Sequence, residues 1–165
     1  MKSMKHIASV AAVAAIAVAG VTATAFARDG GRIKSDMLIG VPATMLGTNG
    51  TIRGVNGPGA PWSVGESEVS VKSSGKVEVE FDNLVITTTG VNPVGSMAVV
   101  VSCLDAANKT VNFRSAPFAV TTNTPTDPGG DAEVETSVDL QSPCFAPIVF
   151  ITTAAGDRWF AVDGL

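Results

Sequence analysis

Residues 97–104, Met-Ala-Val-Val-Val-Ser-Cys-Leu, constrain the fold of this chain more than any other stretch. Valine-rich and free of Gly, Pro and charge, they read as a strand. Val99, Val101 and Cys103 fall on one face; Ala98, Val100, Ser102 and Leu104 fall on the other. Both faces are largely apolar, which predicts a central strand covered on each side. The chain has two cysteines, so Cys103 has one possible partner, Cys144. Two free thiols are the alternative, but in an exported chain the pair reads as a disulfide. Closing a loop of about 40 residues contributes roughly 4 kcal/mol in the chain-entropy model.

Export is read from the N-terminus. Lys2 and Lys5 precede an apolar, alanine-rich run over 7–21, and Ala25-Phe26-Ala27 offers small residues to a signal peptidase. The pattern predicts a signal peptide over residues 1–27, cleaved after Ala27, in preference to a retained membrane anchor. Its alanine-rich make-up reads as bacterial. Residues 28–36, Gly-rich and charged, are expected to be a flexible mature N-terminus, followed by a single β domain over 37–165. Secretion to the medium or cell envelope follows, with no membrane span in the mature form.

Removing 27 of 165 residues leaves 138, enough for one ordinary core. Nine basic residues then stand against 15 acidic ones, a net charge of −6. Scattered cations on an acidic surface argue against nucleic acid as a partner. The one histidine, His6, leaves with the leader, and the chain has no tyrosine. Ser-His-Asp and Cys-His catalysis, and histidine-based zinc or copper sites, are thereby excluded from the mature chain. No cofactor is expected.

Along the mature chain the signals are those of short strands and turns. Residues 37–46 are expected to form a first strand, with Pro42 implying an edge or a bulge. Residues 47–61 carry five glycines and two prolines and read as a loop around a short strand at 51–55. A phosphate loop would need a helix after it, whereas Pro61-Trp62-Ser63-Val64 reads as a strand. Trp62 is assigned to the core.

Residues 66–81 form a hairpin in this reading. A three-residue loop at Ser73–Gly75 puts Val71 opposite Val77 and Val69 opposite Val79, with one apolar face. That register sets Glu68 opposite Glu80 outside, with Glu66 and Glu78 nearby. Residues 111–120 return along the central strand, broken by Pro117. Residues 132–140 alternate apolar and acidic side chains, and Trp159 begins the last strand, over 159–162. Helical periodicity is missing throughout. The fold class expected is all-β, an antiparallel sandwich, Ig-like or related, of about eight strands.

Several segments carry a resemblance: residues 53–62 (Arg-Gly-Val-Asn-Gly-Pro-Gly-Ala-Pro-Trp), 90–93, 100–103, 142–150 and 159–162. Together they resemble an uncharacterised group of small secreted bacterial β-sandwich-like proteins with a single disulfide. The likeness spans about 41–164. It implies export and a compact stapled β domain, and it brings no catalytic or binding residue to this chain.

Carboxylates are the raw material left for chemistry. Glu66, Glu68, Glu78 and Glu80, or Asp127, Asp131, Glu133 and Glu135, could serve a secreted hydrolase working with paired acids. The same residues fit the solvated faces of half-buried strands, and the second group lacks the spacing of a helical calcium loop. Two tripeptides, at Asn49 and Asn108, match the glycan acceptor pattern, but a bacterial leader predicts no glycans. The leading expectation is a non-catalytic domain, not an enzyme, that binds an extracellular protein or glycan. A carboxylate-dependent hydrolase is the alternative, followed by an enzyme inhibitor offering the loop at 54–61 or 121–131.

Overall fold

The computed structural model describes residues 32–164, so the leader, its cleavage site and residues 28–31 lie outside the described residues. The strands are β1 (Arg32–Ser35), β2 (Ile39–Gly40), β3 (Trp62–Ser63), β4 (Ser67–Lys72), β5 (Lys76–Phe81) and β6 (Val85–Ile86). They continue as β7 (Ser96–Leu104), β8 (Thr110–Arg114), β9 (Phe118–Ala119), β10 (Ala132–Ser137), β11 (Phe145–Thr153) and β12 (Trp159–Gly164). Eight of these have four residues or more, and no α-helix occurs among the described residues. One sheet runs β1-β4-β5-β10; the other runs β2-β12-β11-β7-β8, with β9 also on β7; β3 and β6 form a small ribbon. All pairings between these strands are antiparallel. The all-β sandwich is therefore as expected.

The expected central strand is β7. Seven consecutive residues from Met97 to Cys103 are buried. It pairs with β11 on one side and with β8 and β9 on the other. Cross-strand pairing makes rows of side chains: Val99–Ile151–Ala161 and Val101–Val149–Asp163. These rows share the core with Val69, Val71, Val77, Val79 and Phe81 from the four-stranded sheet. The opposite face of β7 is covered by the chain between Pro42 and Ala60. There Arg53 donates to the Ser102 carbonyl at 3.0 Å, and the Trp159 indole donates to the Gly50 carbonyl at 2.8 Å. This cover explains why a strand of a two-layer fold has two dry faces. Cys103 and Cys144 are disulfide-bonded, with Cα atoms 5.0 Å apart.

The hairpin register is the expected one: Val71↔Val77, Val69↔Val79 and Glu68↔Glu80. Gly75 closes its loop at φ +85°, donating its N–H to the Lys72 carbonyl at 2.8 Å. Trp62 is buried, as assigned, and its ring lies 4.4 Å from that of Phe160.

Three expectations are corrected. Within the segment expected to be flexible, Arg32–Ser35 forms β1 by pairing with the edge of β4; an open edge offers backbone partners that local composition does not reveal. The expected first strand over 37–46 shrinks to Ile39–Gly40, because Pro42 cannot extend the ladder and Met45 N–H turns back to the Pro42 carbonyl at 2.9 Å. The short strand expected at 51–55 is a tight turn in which Ile52 and Val55 bond each other, after a 3-10 turn over Gly47–Gly50.

Gly75 gives a direct test of this packing. A Cβ placed there would lie 2.1 Å from the Val138 carbonyl oxygen, in a backbone conformation that side chains disfavour. Gly75→Ala should lower the unfolding free energy by about 1–3 kcal/mol in denaturant titration at unchanged m-value. Wild-type stability would contradict the described turn.

Candidate functional site

Pairing β10 to β5 adds a third member to the predicted Glu68–Glu80 pair. Glu133 is opposite Glu80, so Glu68, Glu80 and Glu133 form one row across β4, β5 and β10. All three are exposed. The row lies in a depression of about 660 Å³ whose walls also include Asp36, Glu66, Asp82 and Asp131. Alternation explains the outward direction: Val69, Val71, Val77 and Val79 take the core face, which leaves the glutamates the other.

The neighbouring row is different. Ser70, Glu78 and Glu135 face one another there. Lys72 reaches Glu78 at 3.1 Å, and Lys76 reaches Glu78 at 3.4 Å and Glu135 at 2.7 Å. These lysines hold the Glu78 carboxyl below its ordinary range, Lys72 most strongly, and Glu135 foremost holds the Lys76 ammonium above its own. In the three-glutamate row, Glu68 meets Lys34 at 2.9 Å, and Lys34 also meets Asp36 at 3.2 Å. Among the described residues, no lysine or arginine reaches Glu80 or Glu133 within salt-bridge distance. The outer face is thus charge-balanced at one end of the sheet and acidic at the other.

The acidic cluster at residues 127–135 is not one site. Asp127 accepts from the Gly129 N–H at 2.7 Å, closing its own turn. Asp131 accepts from the Asn83 N–H at 3.0 Å and the Thr121 hydroxyl at 3.0 Å, pinning the loop to β6's approach. Glu133 joins the row and Glu135 joins Lys76. Among the described residues, no three His, Cys, Asp or Glu side chains are grouped so as to hold a metal ion.

Of the two loops considered for inhibition, the one at 54–61 packs inward, with Val55, Gly57 and Pro58 buried. The loop at 121–131 is exposed over 121–128 and braced by Asn92, whose N–H₂ donates to the Thr121 carbonyl at 2.7 Å. Asn49 and Asn108 are exposed in turns. Among the described residues, no helix is long and apolar enough to cross a membrane. The chain matches no protein-family model, no curated protein and no solved structure with which it was compared.

Sequence reasoning missed Glu133 as a partner of Glu80. The alternation of 132–137 exposed Glu133 as outward-facing, but nothing local says which strand lies beside it. The row's cost can be measured at its middle member. Glu80→Gln removes a like charge from between two others and should stabilise the fold by about 0.2–1 kcal/mol at low ionic strength. The gain should fade in high salt as screening removes the repulsion. A loss of stability in chemical denaturation would show that Glu80 has a compensating partner.

Proposed function

We infer that this protein is an exported bacterial domain, cleaved after Ala27, that acts by binding rather than by catalysis. Its binding surface is the acidic end of the four-stranded sheet, and its partner is a cationic segment of an extracellular or envelope-associated protein. The observation that carries this reading is the in-register row Glu68–Glu80–Glu133 in a depression of about 660 Å³. Strand alternation needs a polar residue at each position, but it does not need three like charges side by side. A row that opposes folding is accounted for when a partner brings the missing cations. The disulfide supports export, and the resemblance of several segments to small secreted bacterial β proteins points the same way.

A carboxylate-dependent hydrolase is the second reading, favoured by one asymmetry. Glu68 is ion-paired with Lys34, whereas Glu80 beside it is not so paired among the described residues. Acid–base work requires that kind of difference between two carboxyls.

The two separate in one set of assays. A short oligolysine peptide should bind the protein with an affinity that falls steeply as salt is raised. The variant Glu80→Gln/Glu133→Gln should bind it about tenfold more weakly, as expected from losing roughly 1.4 kcal/mol. Equal binding by the variant would sink the acidic-surface reading. Turnover of a glycan substrate that the same variant abolishes would establish the hydrolase instead.

A further inference from the structure

Residues 32–40 form a strap across one end of the sandwich. β1 belongs to the four-stranded sheet, and β2, beginning four residues after β1 ends, belongs to the other. Leu38 anchors the crossing: it is buried, and its N–H donates to the Ser67 hydroxyl at 2.8 Å. On either side of it, Met37 and Ile39 are 64% and 57% exposed. Among the described residues, Leu38, two short ladders and the Lys34–Glu68 ion pair hold the strap.

Asp163 lies beneath it. The pairs Ala161↔Gly40 and Val162↔Ile39 put Asp163 level with Leu38. Its row contains Val101 and Val149, and it is 4% exposed. Its Oδ2 has no hydrogen-bond partner among the described residues. Burial pushes this carboxyl above the ordinary aspartate value, and the Ser35 hydroxyl of β1 acts in the opposite sense. The Ser35 hydroxyl also reaches the Met37 carbonyl at 3.1 Å.

A hydroxyl has one proton to give. When Asp163 is protonated, its O–H can donate to Ser35 Oγ while Ser35 donates to Met37, and the strap is tied in one chain of bonds. When Asp163 is ionised, it competes with Met37 for the Ser35 proton and sets an uncompensated charge in an apolar row. Among the described residues, no cation forms an ion pair with it. β2, β7 and β11 contribute no ionisable side chain, Cys103 being in the disulfide. Lys34 on β1 pairs with Glu68 and Asp36 on the outer face, and on β4 Glu68 and Lys72 point to that same face.

We propose that the strap formed by residues 32–40 is a pH-sensitive latch, docked while Asp163 is protonated and released when it ionises. The direction follows from linkage: the docked form holds the proton, so its advantage is complete below the ordinary aspartate range and is lost as pH rises through the higher docked-state value. Release uncovers the edge of β4 and frees the apolar triplet Met37-Leu38-Ile39.

Hydrogen exchange on the whole chain, corrected for the intrinsic pH dependence of exchange, tests this. Strap protection should fall about tenfold or more between about pH 4 and about pH 8, while β7 and β11 remain protected. Asp163→Asn should keep the strap protected across that range. Constant strap protection in the wild type, or an unchanged pH profile in Asp163→Asn, would overturn the latch. Should Asp163→Asn not fold, Ser35→Ala replaces it: its transition should move to higher pH, and an unmoved transition counts against the proposal.

Discussion

Strand β7 is hydrogen-bonded to β11 on one edge and to β8 and β9 on the other, and seven of its residues in succession are shielded from water. A strand in that position cannot be polar on either face, and each layer above it must supply apolar cover. The four-stranded sheet supplies one cover through its valines. The chain between Pro42 and Ala60 supplies the other, locked by Arg53 on the Ser102 carbonyl and by Gly50 under the Trp159 indole. Burial holds the Arg53 guanidinium below its ordinary value, as expected for a cation pressed into a protein surface. The disulfide ties the end of β7 to the approach to β11, so the pairing most central to the core is also closed covalently.

This arrangement decides where chemistry can reside. One sheet has its central strand β7 covered on both faces. The other keeps a solvent face, and its polar residues fall into rows set by the same register that buries the valines. Lys72 and Lys76 neutralise one row; the row of Glu68, Glu80 and Glu133 keeps its charge on two members among the described residues. The acidic end of the sheet and the strap over Asp163 lie near each other through Asp36, which lines the depression and pairs with Lys34.

Features set by a local pattern were legible in the sequence. The apolar run at 97–104 announced β7, and two facing ladders of valine with Gly75 between them fixed the hairpin to the residue. The cysteine pairing followed from there being two. What depended on distant neighbours was not legible. The sequence at 132–137 shows which side of β10 is polar, but its place beside β5 is a non-local choice, so Glu133 was not joined to Glu80. The edge that recruits Arg32–Ser35 leaves no mark on those four residues. The last strand, expected over 159–162, runs on through Asp163, which is buried level with Leu38 of a segment more than a hundred residues away. Pro42 did signal an interruption, and the correction there concerns its extent.

We propose one end of the four-stranded sheet as the surface with which this protein meets a cation-bearing partner. Amide chemical-shift mapping of the uniformly labelled protein during titration with oligolysine tests it most directly. The expected result is a set of shifts confined to β4, β5 and β10 around Glu68, Glu80 and Glu133, with the amides of β8 and β11 unmoved. Shifts spread evenly over both sheets, or no shifts at saturating peptide, would contradict the account.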